Sequence, residues 1–263
     1  MQRNGMEKGE HTRQKLKFTV RPCRGVAEYR QCAALQKRIW GPMPRANYPA
    51  RLFVVVDGMG GQVLGAFVPR HGLIGFLVSM PAWHGTERYF HSLMMGVLPR
   101  FQNQGVAKAL KWKQREQALR LGIDRIQWTF DPLRTKNAYL NIERLGVVVR
   151  RYQPDYYGNL DGPWQRGLPS DRLICEWWLK SSRVYRAQKG ARPRSQAGDA
   201  AAGVALPANA WMLARNDLAK ATEAQLKVRR QLLAYFRKGY MITGFSVARA
   251  KCEYLLDRSD LTR

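Results

Sequence analysis

Residues 93–122, LMMGVLPRFQNQGVAKALKWKQREQALRLG, leave this chain few folding choices. The apolar run 93–98 reads as a buried strand, and Pro99 ends it because proline donates nothing to a sheet ladder. A short loop of exposed amides follows, Gln102, Asn103 and Gln104, and then Gly105, Val106 and Ala107 lead straight into a helical pattern. A strand, a polar loop and a helix N-terminus in succession make an anion site. The first-turn N–H groups lack intrahelical partners and point at one spot, where the helix dipole adds partial positive charge. Gly105 lets backbone approach a phosphate closely, and Ala107 keeps the next turn slim. The expected ligand is a diphosphate.

Two common phosphate loops fail on inspection. The P-loop requires Gly-x-x-x-x-Gly-Lys-Ser/Thr, which is absent, and the dinucleotide fingerprint requires Gly-x-Gly-x-x-Gly where this loop has one glycine. What fits is Gln/Arg-x-x-Gly-x-Gly/Ala, met by Gln102-x-x-Gly105-x-Ala107. In this loop, and in the strand, amphipathic helix, strand and short helix ending at Gly146 around it, the sequence resembles the GNAT acyltransferases. The resemblance covers roughly residues 16–180. It is closest to a bacterial branch of predicted GNAT acetyltransferases that carry runs similar to GVLPRFQNQG, QWTFDPL, NIERLG and RRYQPDYYG. It implies an α/β fold of the GNAT type, a mixed central sheet with helices on both faces, and acetyl-coenzyme A as cofactor. It does not imply an acceptor.

The resemblance also assigns expected roles. Main-chain amides of Gln102, Asn103, Gln104, Gly105, Val106, Ala107 and Lys108 would anchor the pyrophosphate, and a backbone N–H at Val97 or Leu98 would hold the thioester carbonyl. The pantetheine arm would lie in a splay between the fourth and fifth strands, beside residues 96–98 and 128–130. Asn137 opens the short helix where the family often carries a cofactor-contacting asparagine; a simple cap is the other reading. Lys108 and Lys111, one turn apart, either reach the phosphates or stay solvated.

Proton handling is less determined. Many GNAT enzymes place a tyrosine four residues before the glycine that ends the short helix; here that position is Ile142, which cannot protonate a thiolate. Tyr139 is the nearest substitute, with Tyr152, Tyr156 and Tyr157 as others. Candidate general bases are His91 just before the fourth strand, Asp131 at the end of the fifth, Glu28 and Glu143; a water chain is the alternative. Asp131 lies where open α/β sheets place their sites, and it equally suits capping the Asp-Pro turn. The pairs Trp177-Trp178 and Tyr156-Tyr157 could line an acceptor pocket, one tryptophan facing the core because strand neighbours face opposite sides.

The rest of the chain fits a mixed sheet. Strands are expected at 17–23, 51–57, 63–69, 72–81, 123–132, 147–153 and 172–180, and helices at 25–40, 105–121 and 137–146. Residues 1–15 read as a flexible arm, 16–181 as the acyltransferase domain and 182–210, small, basic and Gly/Pro-bearing, as a flexible linker. Residues 211–263 read as a helix-and-strand extension. It is capped by Asn216 or Asp217, has Leu218, Leu226, Leu232, Leu233 and Phe236 near one stripe, and packs on the core or on a second subunit as a homodimer.

Composition narrows the functional class less than the loop does. The hydrophobic fraction of 45% and eight tryptophans argue for a folded protein. The formal net charge of +26 should attract polyanions in a salt-dependent way, so nonspecific nucleic-acid contact is one expected partner class; a merely basic, soluble surface is the other reading. Cys32 and Cys175 sit in apolar patterns as buried thiols, and Cys23 and Cys252 complete no Cys-x-x-Cys pair. No run approaches the ~18 apolar residues of a membrane span, the N-terminus lacks a signal-peptide core, and a cytoplasmic location is expected.

The leading expectation is transfer of acetyl from acetyl-coenzyme A to a small-molecule or protein amine. The alternatives are a coenzyme A-binding module with catalysis lost, which Ile142 would allow, and a GNAT-fold aminoacyl or RNA-associated protein, against which the intact loop argues. Gly105→Glu places a carboxylate against the diphosphate site. The expected result is loss of coenzyme A binding by calorimetric titration with the fold retained by circular dichroism; undiminished affinity would refute the loop assignment.

Overall fold

The apolar and alternating runs come together in one ten-stranded sheet. The structure is a computed structural model that describes residues 16–41, 47–158, 167–191, 202–207, 210–248 and 251–258. Strand β1 (Thr19–Pro22) leads into helices α1 (Gly25–Trp40) and α2 (Ala50–Gly58). Strands β2 (Gln62–Val68), β3 (Gly72–His84) and β4 (Glu87–Val97) follow, then α3 (Val106–Arg120) and β5 (Arg125–Phe130). Helix α4 (Thr135–Ala138) widens into a π-helical turn (Tyr139–Arg144) before β6 (Val148–Gln153) and β7 (Arg172–Trp178). The chain continues through α5 (Ser182–Gln188), β8 (Ala202–Pro207), α6 (Ala210–Asn216), α7 (Leu218–Arg237), β9 (Met241–Val247) and β10 (Lys251–Asp257). The sheet order is β1-β2-β3-β4-β5-β7-β6-β9-β10-β8, and β4–β5 is its parallel junction. This mixed α/β sheet is the architecture the sequence implies.

Helices cover both faces. A Cβ on Gly96 would meet Ile39 and Trp40 of α1, and Phe76, opposite Gly96, packs on Trp40 and on Phe53 of α2. A Cβ on Gly75 would instead meet Val97 and Val106, which belong to the α3 side. The pleat therefore sends alternate residues of β3 and β4 to α1/α2 and to α3.

Residues 51–57 form helix α2, not the expected strand. Valine disfavours a helix interior by only about 0.5 kcal/mol, and burial outweighs that: Phe53 and Val56, three apart, are in the core while Val54 and Val55 face out. Segment 81–92, between the expected strands 72–81 and 93–98, is itself mostly strand. β3 runs to His84, turns at Gly85 (φ 60°), and β4 begins at Glu87, so His91 lies inside the fourth strand rather than before it.

The C-terminal third belongs to the same sheet. β9 joins the edge at Val149↔Ile242, and β10 and β8 add antiparallel beyond it. Part of the expected linker is thus ordered: residues 182–188 form α5, capped by the Ser181 hydroxyl, and 202–207 form β8. Residues 1–15 and 192–201 lie outside the described residues. In α7, capped by Asp217, the buried face is Ala221, Gln225, Val228 and Leu232, whereas Leu218 and Leu226 of the expected stripe are exposed. Val26 of α1 and Leu121 after α3 are exposed as well.

Buried polar pairs fasten this extension. Arg183 donates to the carbonyls of Gly146 and Thr243. Asp171, fully buried, accepts from Arg229 of α7 at 2.8 and 2.6 Å, from the Tyr152 hydroxyl at 2.5 Å and from the Asp155 amide at 3.0 Å. Removing the guanidinium strands a buried carboxylate, so Arg229→Ala should lower unfolding stability by about 3 kcal/mol, read by urea denaturation.

Candidate functional site

The predicted loop has the geometry of an anion cradle. Pro99–Phe101 form a short 3-10 turn, Asn103 sits at φ 60°, and Gly105 caps α3 in the left-handed region at φ 85°. A Cβ at Gly105 would meet nothing within 4 Å, so the space before the helix is open. The first helical bond is Ala109 N–H to Gly105 O, 3.0 Å, which leaves the Val106, Ala107 and Lys108 amides without intrahelical acceptors. Gln102 and Gln104 brace the loop: the Gln104 side chain donates to Arg100 O at 2.9 Å, and the Gln102 amide to Pro99 O at 3.2 Å. Lys108 stands beside this end; burial and the nearby Arg144 charge hold its ammonium below its usual range. A lysine in the first turn with a second cation near it favours an anion there.

Beyond the loop the sheet forks. β4 and β5 pair only at Phe90↔Ile126 and His91↔Gln127. The next residue of each strand, Ser92 and Trp128, lies past the last pair. A bulge drives the divergence: Ser92 pairs with Ser79 and Met94 with Val78, so Leu93 is the extra residue and bends β4. The Leu98 amide, one expected carbonyl donor, is spent on Ile74 O at 2.9 Å. The alternation of an antiparallel ladder then turns the N–H and C=O of Val97 away from β3 and into the fork, and Val97 O accepts from the Gln102 side chain at 3.0 Å. Fork and loop together suit a thin ligand with an anionic head at the α3 N-terminus and a polar chain along the free edge of β4.

Lys111 fills the apex of the fork. Its Nζ donates to Ser92 Oγ and to Gln114 Oε1, each at 3.1 Å, and lies 3.6 Å over the Trp128 ring. It is 2% exposed and neither hydrogen-bond partner is charged, so burial pulls its pKa from 10.5 down to about 7. This corrects the reading of Lys111 as a phosphate contact or a solvated charge. The only signal in the sequence was its position between Leu110 and Gln114 on the inward face of the helix, which a solvated lysine would share. A polar seam runs on from it: Gln62 Nε2 donates to Gln114 O at 3.0 Å, and Ser79 Oγ to Gln62 Oε1 at 2.6 Å.

The opposite face of the fork carries His91, since strand neighbours Ser92 and His91 point to opposite sides. Its imidazole is held below 6.5 by burial and then by the Lys111 charge. Nearby, Tyr157 bonds Thr129 Oγ1 at 3.0 Å and packs edge-to-face on Tyr156. Burial raises the Tyr156 phenol above its usual range, with Tyr157 and Tyr89 beside it. Trp177 is fully buried and its Nε1 donates to Leu145 O at 2.8 Å; Trp178 is half-buried and reaches Glu176 Oε2.

The other candidates are engaged elsewhere. Asp131 accepts from the Leu133 amide at 2.8 Å and pairs with Arg134 at 3.7 Å, so it braces the Asp-Pro turn. Asn137 does not open its helix, which starts at Thr135; its side chain is exposed and its amide donates to Arg134 O at 2.9 Å. Tyr139 is half-buried and Ile142 fully buried. The π-helical turn closes wider rings than an α-helix, so residues three apart no longer stack and Tyr139 does not take the place of Ile142. Glu28 is bound to Arg21 at 2.7 Å and Glu143 to the Phe245 amide at 2.8 Å. Tyr152 is held by Asp171.

Residues 33–146 match the acetyltransferase (GNAT) family model. Similar solved structures include NAA60 of Arabidopsis thaliana in complex with acetyl-CoA, 14% identical, covering 62% of this chain and 99% of that one with a TM-score of 0.50. The same protein with a bisubstrate analogue is 15% identical over 62% and 98%, also at 0.50. The ribosomal-protein-S18-alanine N-acetyltransferase of Escherichia coli is 14% identical over 61% and 92%, at 0.48. No curated protein matches the chain significantly. The chain carries a GNAT acetyltransferase-family domain, with the fold of that family. Among the described residues no helix is long and apolar enough to cross a membrane.

The buried amine has a measurable consequence. With Lys111 near 7 in the folded chain and 10.5 unfolded, the unfolded state binds the extra proton between those values, so this contribution to stability rises with pH across that window. Lys111→Met removes it. The variant should gain on the wild type most at pH 7 and below, and the gap should narrow toward pH 10.5, read by urea denaturation at a series of pH values.

Proposed function

We propose that the chain is an acyl-CoA-dependent N-acyltransferase that moves acetyl from acetyl-coenzyme A to an amine. The carrying observation is the fork: two strands held by two residue pairs, opening toward a helix N-terminus whose cap is a left-handed glycine. In this reading the amides of Val106, Ala107 and Lys108 hold the pyrophosphate, Asn103, Gln104 and Gly105 shape the approach, and the Val97 amide meets the pantetheine arm rather than the expected thioester carbonyl, because the apex at Ser92 lies five strand residues, roughly 16 Å, farther on. The cofactor supplies an activated acyl thioester.

The acceptor enters on the His91 face, past Tyr156 and Tyr157, whose rings suit an ammonium through their negative faces. His91 is neutral at pH 7 and takes the proton that the amine must lose before it attacks. Asp131 and Tyr139 act as framework in this scheme. A second reading, a coenzyme A-binding module without turnover, is favoured by the buried Ile142. Thiol release that depends on added amine separates the two.

Calorimetric titration with acetyl-coenzyme A, followed by an amine screen for thiol release, tests the assignment. His91→Gln should lower kcat by about 10²–10⁴ with little change in cofactor affinity. The acidic limb of the wild-type rate profile should fall below pH 6.5 and disappear in the variant. A His91→Gln enzyme of wild-type rate would return proton removal to a water chain.

A further inference from the structure

Among the described residues Lys111 is the one buried amine of the fork, and the scheme above leaves it without a task. Its place is specific. Ser92 and Trp128 are the first residues of β4 and β5 past the last paired row, and the lysine Nζ touches both. As an ammonium it has three donors, and three acceptors surround it: Ser92 Oγ, Gln114 Oε1 and the indole face. None is an anion, so the protonated form is coordinated but not neutralised.

The surrounding groups do not supply that charge. Cys175 on β7 and His91 on β4 are the titratable groups that feel Lys111, and burial keeps the Cys175 thiol protonated. Gln62 of β2 and Ser79 of β3, which face the same seam, are neutral. Along α3, Arg115 turns away to Leu179 O and Lys108 lies toward Arg144.

We propose that Lys111, acting through the Ser92 hydroxyl, is the counter-charge and proton source for a thiolate set free in the fork, the task for which Ile142 offers no hydroxyl. This rests on the acyltransferase reading. The bond from acceptor nitrogen to acyl carbon forms, and the carbon–sulfur bond breaks with its electron pair on sulfur. The Ser92 hydroxyl gives its proton to that sulfur and takes one from Lys111. The proton shed by the acceptor nitrogen goes to His91 and then to water, and Lys111 regains one from water. The transfer runs downhill: an amine near 7 is a stronger acid than an alkyl thiol of ordinary pKa about 8.5.

Coenzyme A with its free thiol is the probe, and thiolate ultraviolet absorbance against pH is the readout on the full chain. Thiolate should appear about 1–3 pH units lower when coenzyme A is bound to wild type than when bound to Lys111→Met. In wild type labelled at the lysine ε-carbon, the Lys111 titration should move up when coenzyme A binds. Identical thiolate titrations in the two proteins overturn the Lys111 role and leave the cofactor reading standing. If Lys111→Met does not fold, a Lys111 resonance unmoved by bound coenzyme A overturns it instead. Absence of coenzyme A binding by wild type overturns both.

Discussion

The junction of β4 and β5 is the constraint on which the site depends. Every other neighbouring pair in the sheet is antiparallel, whereas this one is parallel and stops after His91↔Gln127. Past that row the backbone edges of both strands lose their ladder partners, and a buried polar edge is costly unless something meets it. The chain meets part of it with its own loop, through the Gln102 side chain, whose Nε2 donates to Val97 O. The extra residue at Leu93 keeps the gap open, because a bulge bends its strand and cannot be ironed out without shifting every later residue to the other face. The same divergence aims the strands at the α3 N-terminus, so the fork and the anion site are two ends of one groove.

A second constraint is the polar seam beneath the fork. Lys111, Gln114, Gln62, Ser79 and Ser92 are all buried, where apolar residues of similar volume would serve stability as well or better. Gln114 Nε2 has no partner among the described residues, and an unmet buried donor costs on the order of 1–3 kcal/mol. Trp112 Nε1 on the same helix is likewise unmet, but Gln114 also accepts from Lys111, which places its cost at the point where the strands part.

The C-terminal extension bears on the site only indirectly. It continues the sheet from β6, and its ties, Arg183 to Thr243 and Arg229 to Asp171, run through the residues that hold the π-helical turn and the β6–β7 connection. Tyr254 adds a bond to Pro132 O at 2.7 Å, beside the Asp131 turn. These contacts tie the extension to the segments that flank β5 and β7.

By itself the sequence determined the local, short-range features. The proline that ends β4, the left-handed Gly105, the helix that follows it and the cap at Asp217 each depend on one residue's conformational range or on a hydrogen bond three residues away. The mixed sheet was legible for the same reason, since apolar runs and turn residues alternate along the chain. What only the tertiary structure decided depends on distant neighbours. Residues 51–57 are β-branched yet helical because Phe53 and Val56 find a core in α1 and β3. Tyr139 and Ile142 part company because a wider turn changes which residues stack. Lys111 reads as any surface lysine until Ser92 and Trp128, 19 and 17 residues away, close over it. Its charge state then follows from burial, a property of the assembled sheet and helix that no residue's own chemistry contains.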